Sequence, residues 1–273
     1  KDDIIKMMVG RTVFMDPKTK SDVGADAEVV LKCENLNRGK HVKDVSFELR
    51  KGEILGFSGL VGAGRTEVML ALFGAEHADF GKVYLRGKEF HINAPKEAID
   101  HNIGLVTEDR RRTGLLLEKN IVENIALPSL VYRSDKFGFV NTKWEKKVSE
   151  EYMSKLKVKA PDMYTRLANL SGGNQQKVIL AKWLAAESNI LILDEPTRGI
   201  DVNARSEFYT LMHEFVDNGG AIIMISSEMP EVIGVSDRVI VMREGRISGE
   251  LQKNEVDEQN IIMLASITSD AKN

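Results

Sequence analysis

The stretch Gly59-Leu60-Val61-Gly62-Ala63-Gly64-Arg65-Thr66 decides how this chain is read. Before it runs Glu53-Ile54-Leu55-Gly56-Phe57-Ser58, apolar and of strand length; after it comes Glu67-Val68-Met69-Leu70-Ala71-Leu72-Phe73, which reads as helix. Strand, glycine loop and helix form the context in which a phosphate-binding loop is believed. The glycines let the backbone curl so that successive N–H groups face phosphate oxygens. The helix start adds unpaired N–H groups and the positive end of its dipole. Thr66 stands where a hydroxyl ligates Mg²⁺, and Arg65 stands where the pattern has lysine. A plain glycine turn between strand and helix is the other reading these eight residues allow.

A second stretch changes that balance. Ile190-Leu191-Ile192-Leu193-Asp194-Glu195 is an apolar strand ending in two carboxylates. In phosphoryl transfer an aspartate at such a strand end holds Mg²⁺, and an adjacent glutamate can orient or deprotonate the attacking water. Seen alone, it is equally a strand end reaching solvent. Between the two lies Leu170-Ser171-Gly172-Gly173-Asn174-Gln175-Gln176-Lys177. A hydroxyl and bare N–H groups at a helix start make a second anion site, or simply a helix cap.

Size and composition fit an ordinary folded chain. It has 273 residues, 42% hydrophobic and 29% charged, enough for a sizeable core. A net charge of -3 gives no global pull toward nucleic acid or an anionic bilayer. The single cysteine, Cys33, rules out an internal disulfide framework, suits a reducing cytosol and reads as a packed thiol. No apolar run approaches the ~18 to 20 residues of a membrane span, and Lys1-Asp2-Asp3 does not open a signal peptide, so work at a membrane is expected to be peripheral.

Along the chain, a helix is expected over Asp3 to Met8 and a linker from Asp16 to Ala27. Strands are expected at Val29 to Leu36, Asp44 to Leu49, Gly81 to Leu85 and Asn102 to Thr107. Mostly helix follows from Ile121 to Lys157, broken around Ser134 to Gly138, and a strong helix runs from Gly173 to Ala186. Strand and helix then alternate through Ile190 to Leu193, Ala204 to Val216, Ala221 to Ser226 and Met229 to Gly234. Glu244-Gly245 is a two-residue hairpin signal. The alternation predicts an α/β core with a mainly parallel sheet, interrupted by a helical subdomain at about 110–170. Arg110-Arg111-Arg112 reads as a solvated loop with local ion pairs rather than a nucleic-acid contact. Asp3 to Val9 also resembles Asn260 to Ala265, by chance or because the chain begins with the last helix of a preceding homologous module.

The phosphate loop, Leu170-Ser171-Gly172-Gly173 and Ile192-Leu193-Asp194-Glu195-Pro196-Thr197, in this order, resemble the ATP-binding-cassette (ABC) ATPases over residues 28–266. More narrowly, Leu170 to Lys177, Asp194 to Val202 and Ser226 to Val232 resemble the second cassette of bacterial monosaccharide importers of the ribose, galactose and xylose type. The resemblance implies a P-loop NTPase core with an antiparallel β subdomain and a helical subdomain. Residues 1–27 would be the tail of a preceding cassette with its linker, and 267–273 a C-terminal tail. It implies ATP and Mg²⁺ held by Gly59, Leu60, Val61, Gly62, Ala63, Gly64, Arg65 and Thr66, with Asp194 at the metal. Leu170, Ser171, Gly172, Gly173 and Asn174 would complete the ATP site of a second cassette, which Asp201 would touch. An integral-membrane sugar permease would dock around Glu108 to Tyr132 on the cytoplasmic face of the cell membrane. A sugar-binding protein would be an indirect partner, and nucleic acid none.

Departures from the family pattern carry the sharpest expectation. Arg65 replaces lysine by a wider planar fork. Glu108 stands where the family has glutamine and could approach Mg²⁺ through water, while Ser227 replaces a histidine. The usual adenine-stacking aromatic is missing; Arg38 and His41 stand nearby, and His41, if not merely a solvated loop residue, is the candidate to lie against the base. With Glu195 retained, the expectation is a site that binds nucleotide but hydrolyses it slowly, while its Leu170 to Gly173 turn serves the partner. The other readings are a soluble ABC ATPase acting on nucleic acid or ribosomes, and a nucleotide-sensing half that does not hydrolyse ATP.

Overall fold

Runs that are apolar at nearly every position need cover on both faces. Strands β3 (Ile54–Gly59), β7 (Ile190–Asp194) and β8 (Ala221–Ile225) are such runs, buried almost throughout. The computed structural model describes residues 23–266 except 25 and 136. The helix expected over Asp3 to Met8, most of the following linker and residues 267–273 lie outside the described residues.

Among the described residues the strands form two sheets. The first is antiparallel, ordered β2-β1-β4-β5, from β1 (Val29–Arg38), β2 (Val42–Arg50), β4 (Phe80–Leu85) and β5 (Lys88–Phe90). The second is ordered β10-β9-β3-β8-β7-β6, adding β6 (Ile103–Val106), β9 (Arg238–Arg243) and β10 (Arg246–Gln252). All its pairings are parallel except β9 with β10, which close a hairpin at Glu244-Gly245. Both turn residues have positive φ, 50° and 83°, as that tight hairpin type requires.

The sheets meet through Phe47 of β2 and Phe57 of β3, packed edge to face at 5.1 Å. Buried Arg238 pairs with buried Glu53 at 2.8 Å and donates to the Glu48 carbonyl at 2.6 Å, tying β9 to the entry of β3. Cys33 is 1% exposed and donates to the Val45 carbonyl; burial pushes its thiol up to about 12, so it is a packing residue.

Helices fill the connections: α1 (Arg65–Leu72), α2 (Pro95–Asp100), α3 (Ile121–Ala126), α4 (Leu130–Arg133), α5 (Thr142–Lys155), α6 (Gly172–Ala185), α7 (Val202–Asp217), α8 (Met229–Val235) and α9 (Glu258–Ser266). Asn120 and Glu123 form a reciprocal cap that starts α3. Buried Asn124 fixes the preceding loop by exchanging hydrogen bonds with Leu116. Helices α3 and α5 pack on α6, and the break expected around Ser134 to Gly138 separates α4 from α5. The sequence reading missed β5 and α2, both short and largely exposed, where few apolar residues mark a period. Among the described residues no helix is long and apolar enough to cross a membrane.

Candidate functional site

The loop between β3 and α1 takes its shape from its glycines. Gly59, Gly62 and Gly64 sit at φ 143°, 80° and 99°. A Cβ on Gly64 would also lie 2.4 Å from the His41 carbonyl. The hairpin turn braces the loop from outside, since the Gly245 N–H donates to the Ala63 carbonyl at 2.9 Å. Gly64 starts α1 with no side-chain cap, so the helix N-terminus is left to a ligand. Leu60 and Val61, at the loop tip, are exposed.

Residues 128 apart in sequence converge at this loop: the Thr66 hydroxyl donates to Asp194 Oδ2 at 2.8 Å. Asp194 is 3% exposed, and its Oδ1 is buried with no hydrogen-bond partner among the described residues. Burial is the main cause that pushes its carboxyl up to about 7, and the Glu108 and Glu195 charges add to the rise; the Thr66 hydrogen bond and the Arg65 charge oppose it. An orphaned, desolvated carboxylate oxygen beside a hydroxyl is a site short of a cation. Among the described residues no three His, Cys, Asp or Glu side chains gather as a metal cluster. That donor set still suits Mg²⁺, which takes one or two protein oxygens and fills its shell with water and phosphate.

Glu195 follows with φ 49°, an uncommon conformation for a residue with a side chain. Its N–H donates to the Ile225 carbonyl at 2.9 Å, and its carboxylate Oε2 accepts from the Ser227 hydroxyl at 3.1 Å. Burial raises its pKa, against the lowering effects of the Ser227 hydrogen bond and the Arg65 charge. Val61 to Glu67, Glu108, Asp194, Glu195, Arg198, Ser227 and Glu228 line one open cleft of roughly 600 Å³.

Several expected residues already have partners within the chain or lie outside this cleft. Arg65 lines the cleft but is buried, and its Nη1 donates to the Ser226 carbonyl at 2.9 Å. Glu108 is paired with Arg198. The His41 carbonyl packs against the loop, but its side chain is exposed and does not line the cleft; Arg38 is paired with Glu76. Leu170 to Asn174, expected at the ATP site of a second cassette, lie outside this cleft. Ser171 caps α6, accepting from the Asn174 N–H at 3.5 Å and its Nδ2 at 3.0 Å, while Asn174 Oδ1 accepts from the Lys159 N–H. Asp201 caps α7 through the Ala204 N–H at 3.0 Å and is exposed.

The basic trio is corrected in part. Arg111 and Arg112 are exposed, but Arg110 is partly buried and donates to the carbonyls of Arg198 at 2.6 Å and Gly199 at 3.3 Å. It joins the strand end after β6 to the turn after Glu195, and local charge gave no signal of this. Arg198 lies within the Asp194 to Val202 stretch, where the sequence reading gave it no role. Beside the cleft, a groove of about 520 Å³ is lined by Leu70, Phe73, Leu105, Leu127 and Trp183 together with Glu108 and Lys182. Burial lowers the Lys182 ammonium to about 8.

Fold and cleft together define a phosphate-loop nucleotide-binding cassette. The ABC transporter family profile matches residues 42–198, and the chain belongs to that family. It is 46% identical to the xylose import ATP-binding protein of Thermoanaerobacter pseudethanolicus over 96% of this chain and 53% of the relative. It is 47% identical to the ribose import ATP-binding protein of Streptococcus agalactiae over 97% of this chain and 53% of the relative. The chain thus spans about half the length of these curated relatives. Among solved structures, a nucleotide-free ATP-binding cassette from an ABC transporter superposes with a TM-score of 0.74 at 21% identity, covering 88% of this chain and all of that one. A cassette in its ADP conformation gives 0.72 at 22%, covering 88% and 99%. At those identities the likeness concerns the fold.

Proposed function

We propose that this chain is a nucleotide-binding cassette of a bacterial monosaccharide importer, the second of two in its subunit, and that its own site turns ATP over slowly. The observation that carries the nucleotide reading is the buried, unpartnered Asp194 oxygen beside the Thr66 hydroxyl at the mouth of a glycine loop. Thr66 and Asp194 would hold Mg²⁺, which neutralises charge on the phosphates. The N–H groups of the loop and of the α1 start would hold the phosphate oxygens. Glu195 would orient a water; burial raises its pKa, and the Ser227 hydroxyl on its Oε2 opposes that rise.

Slow turnover is supported by three side chains. Arg65 is bound to the Ser226 carbonyl, position 227 supplies a neutral hydroxyl, and Glu108 adds a negative charge to the cleft. The import role and the sugar class rest on the likeness to the xylose and ribose import ATP-binding proteins. Their extra length and the likeness of Asp3 to Val9 to Asn260 to Ala265 support a tandem partner. Leu170 to Asn174 would complete that partner's ATP site, with Asp201 at the interface. The groove beside Glu108 would receive the permease at the cytoplasmic face of the membrane.

The test is ATP binding and turnover by the chain, with and without Mg²⁺. Binding with slow turnover is expected, raised at least about tenfold in Arg65→Lys/Ser227→His as a charged contact is restored. Rapid turnover by the unmodified chain would overturn the slow-site reading, and absence of nucleotide binding would overturn the whole. Stimulation on mixing with a first cassette separates a motor half from a passive sensor.

A further inference from the structure

Two guanidinium groups line the nucleotide cleft, Arg65 and Arg198, against five carboxylates: Glu67, Glu108, Asp194, Glu195 and Glu228. A polyphosphate entering this lining meets more negative charge than positive, so the placement of each cation matters. Arg65 is buried and bound to the Ser226 carbonyl. Arg198 is the opposite case. Its side chain is 64% exposed and rests on the Glu108 carboxylate. Its backbone is held, because the Arg198 N–H donates to the Glu195 carbonyl at 3.1 Å and Arg110 binds the carbonyls of Arg198 and Gly199. A long side chain on a fixed root can change partner without moving the turn.

We propose that Arg198 reads the terminal phosphate of the nucleotide. When a triphosphate enters, its guanidinium exchanges the Glu108 carboxylate for the terminal phosphate; a diphosphate leaves the Arg198–Glu108 pair in place. The assignment rests on the nucleotide reading of the cleft and goes beyond it. An exposed carboxylate–guanidinium pair is weakly held, whereas a terminal phosphate presents more charge and several acceptor oxygens to the planar fork. Arg198 would thereby supply, from within the same chain, the cation that Ser227 cannot. Arg110 is a positioning residue in this scheme, acting through the backbone of residues 198–199.

The test is calorimetric titration of the chain with a non-hydrolysable ATP analogue and with ADP, at one free Mg²⁺ concentration. Arg198→Ala is expected to weaken the triphosphate roughly tenfold, the loss of one charge-assisted contact, and to leave ADP affinity unchanged. Arg198→Lys should recover part of that loss. Glu108→Gln, which frees the guanidinium, should strengthen triphosphate binding more than ADP binding. Equal weakening of both nucleotides in Arg198→Ala, or no change in either, would overturn the assignment while leaving the nucleotide reading standing. Failure of the unmodified chain to bind either nucleotide would remove that reading and this assignment with it.

Discussion

Gly59 to Thr66 and Leu170 to Asn174 are both glycine-containing helix starts, and the fold uses them for opposite purposes. In the first, the glycines supply backbone angles: Gly59, Gly62 and Gly64 all have positive φ. Its helix begins uncapped and opens onto a cleft that holds an orphaned carboxylate. In the second, the helix start is capped by Ser171 of the same chain. Its glycines supply close approach: a Cβ on Gly173 would lie 2.6 Å from Ala204 Cβ, and one on Gly172 2.8 Å from the Gly199 carbonyl. Glycine content alone therefore does not make a site for the chain's own nucleotide; unsatisfied N–H groups facing its cleft do.

The largest effect should break the first region. Gly64→Ala combines a left-handed backbone with a 2.4 Å approach to the His41 carbonyl. It should lose about 3 kcal/mol of stability and abolish nucleotide binding, read by denaturant unfolding and calorimetry. In the second region Gly173→Ala faces a methyl group instead of a forbidden angle. A loss of about 2 kcal/mol is expected from overpacking, with the chain's own nucleotide affinity retained.

Behind the cleft, Glu231 is 1% exposed among Ser226, Thr197 and Tyr209, and burial pushes its carboxyl from 4.5 up to about 6. A raised carboxyl pKa means that the folded state binds the proton more tightly. Its stabilising effect is complete below the unfolded value near 4.5 and is lost as pH rises through about 6. Glu231→Gln should therefore be more stable than the parent at pH 7.5, by up to about 2 kcal/mol, with the advantage vanishing below about pH 4.5. Thermal unfolding across that window checks the sign. Ser171→Ala should cost at most about 1 kcal/mol, because the cap is exposed and its bond to the Asn174 N–H is 3.5 Å long. An equal loss of the chain's own nucleotide affinity in Ser171→Ala would erase the contrast between the two regions.

Much of the fold was legible because strong local signals agree. The buried strands β3, β7 and β8 announce themselves as unbroken apolar runs, Glu244-Gly245 as a tight hairpin, and the eight-residue loop as a strand-to-helix curl. Less was legible where short elements carry few apolar residues, as in β5 and α2. Arg110 shows a different failure: beside two more arginines it reads as solvated, yet its partners are carbonyls 88 and 89 residues away.

The sequence alone determined which groups this protein has available: a loop able to curl around phosphate, a hydroxyl at its end, two acids at a strand terminus, and neutral Ser227 where a cation was expected. Tertiary structure alone decided which of them meet. It set Thr66 on Asp194, withdrew Arg65 to the Ser226 carbonyl and laid Arg198 across the cleft onto Glu108. Local propensity is written in neighbouring residues, whereas charge pairing depends on strand order and on which side chains lose their water. The parallel order β3-β8-β7-β6 brings the ends of distant strands to one edge, and only there do their charges act on one another.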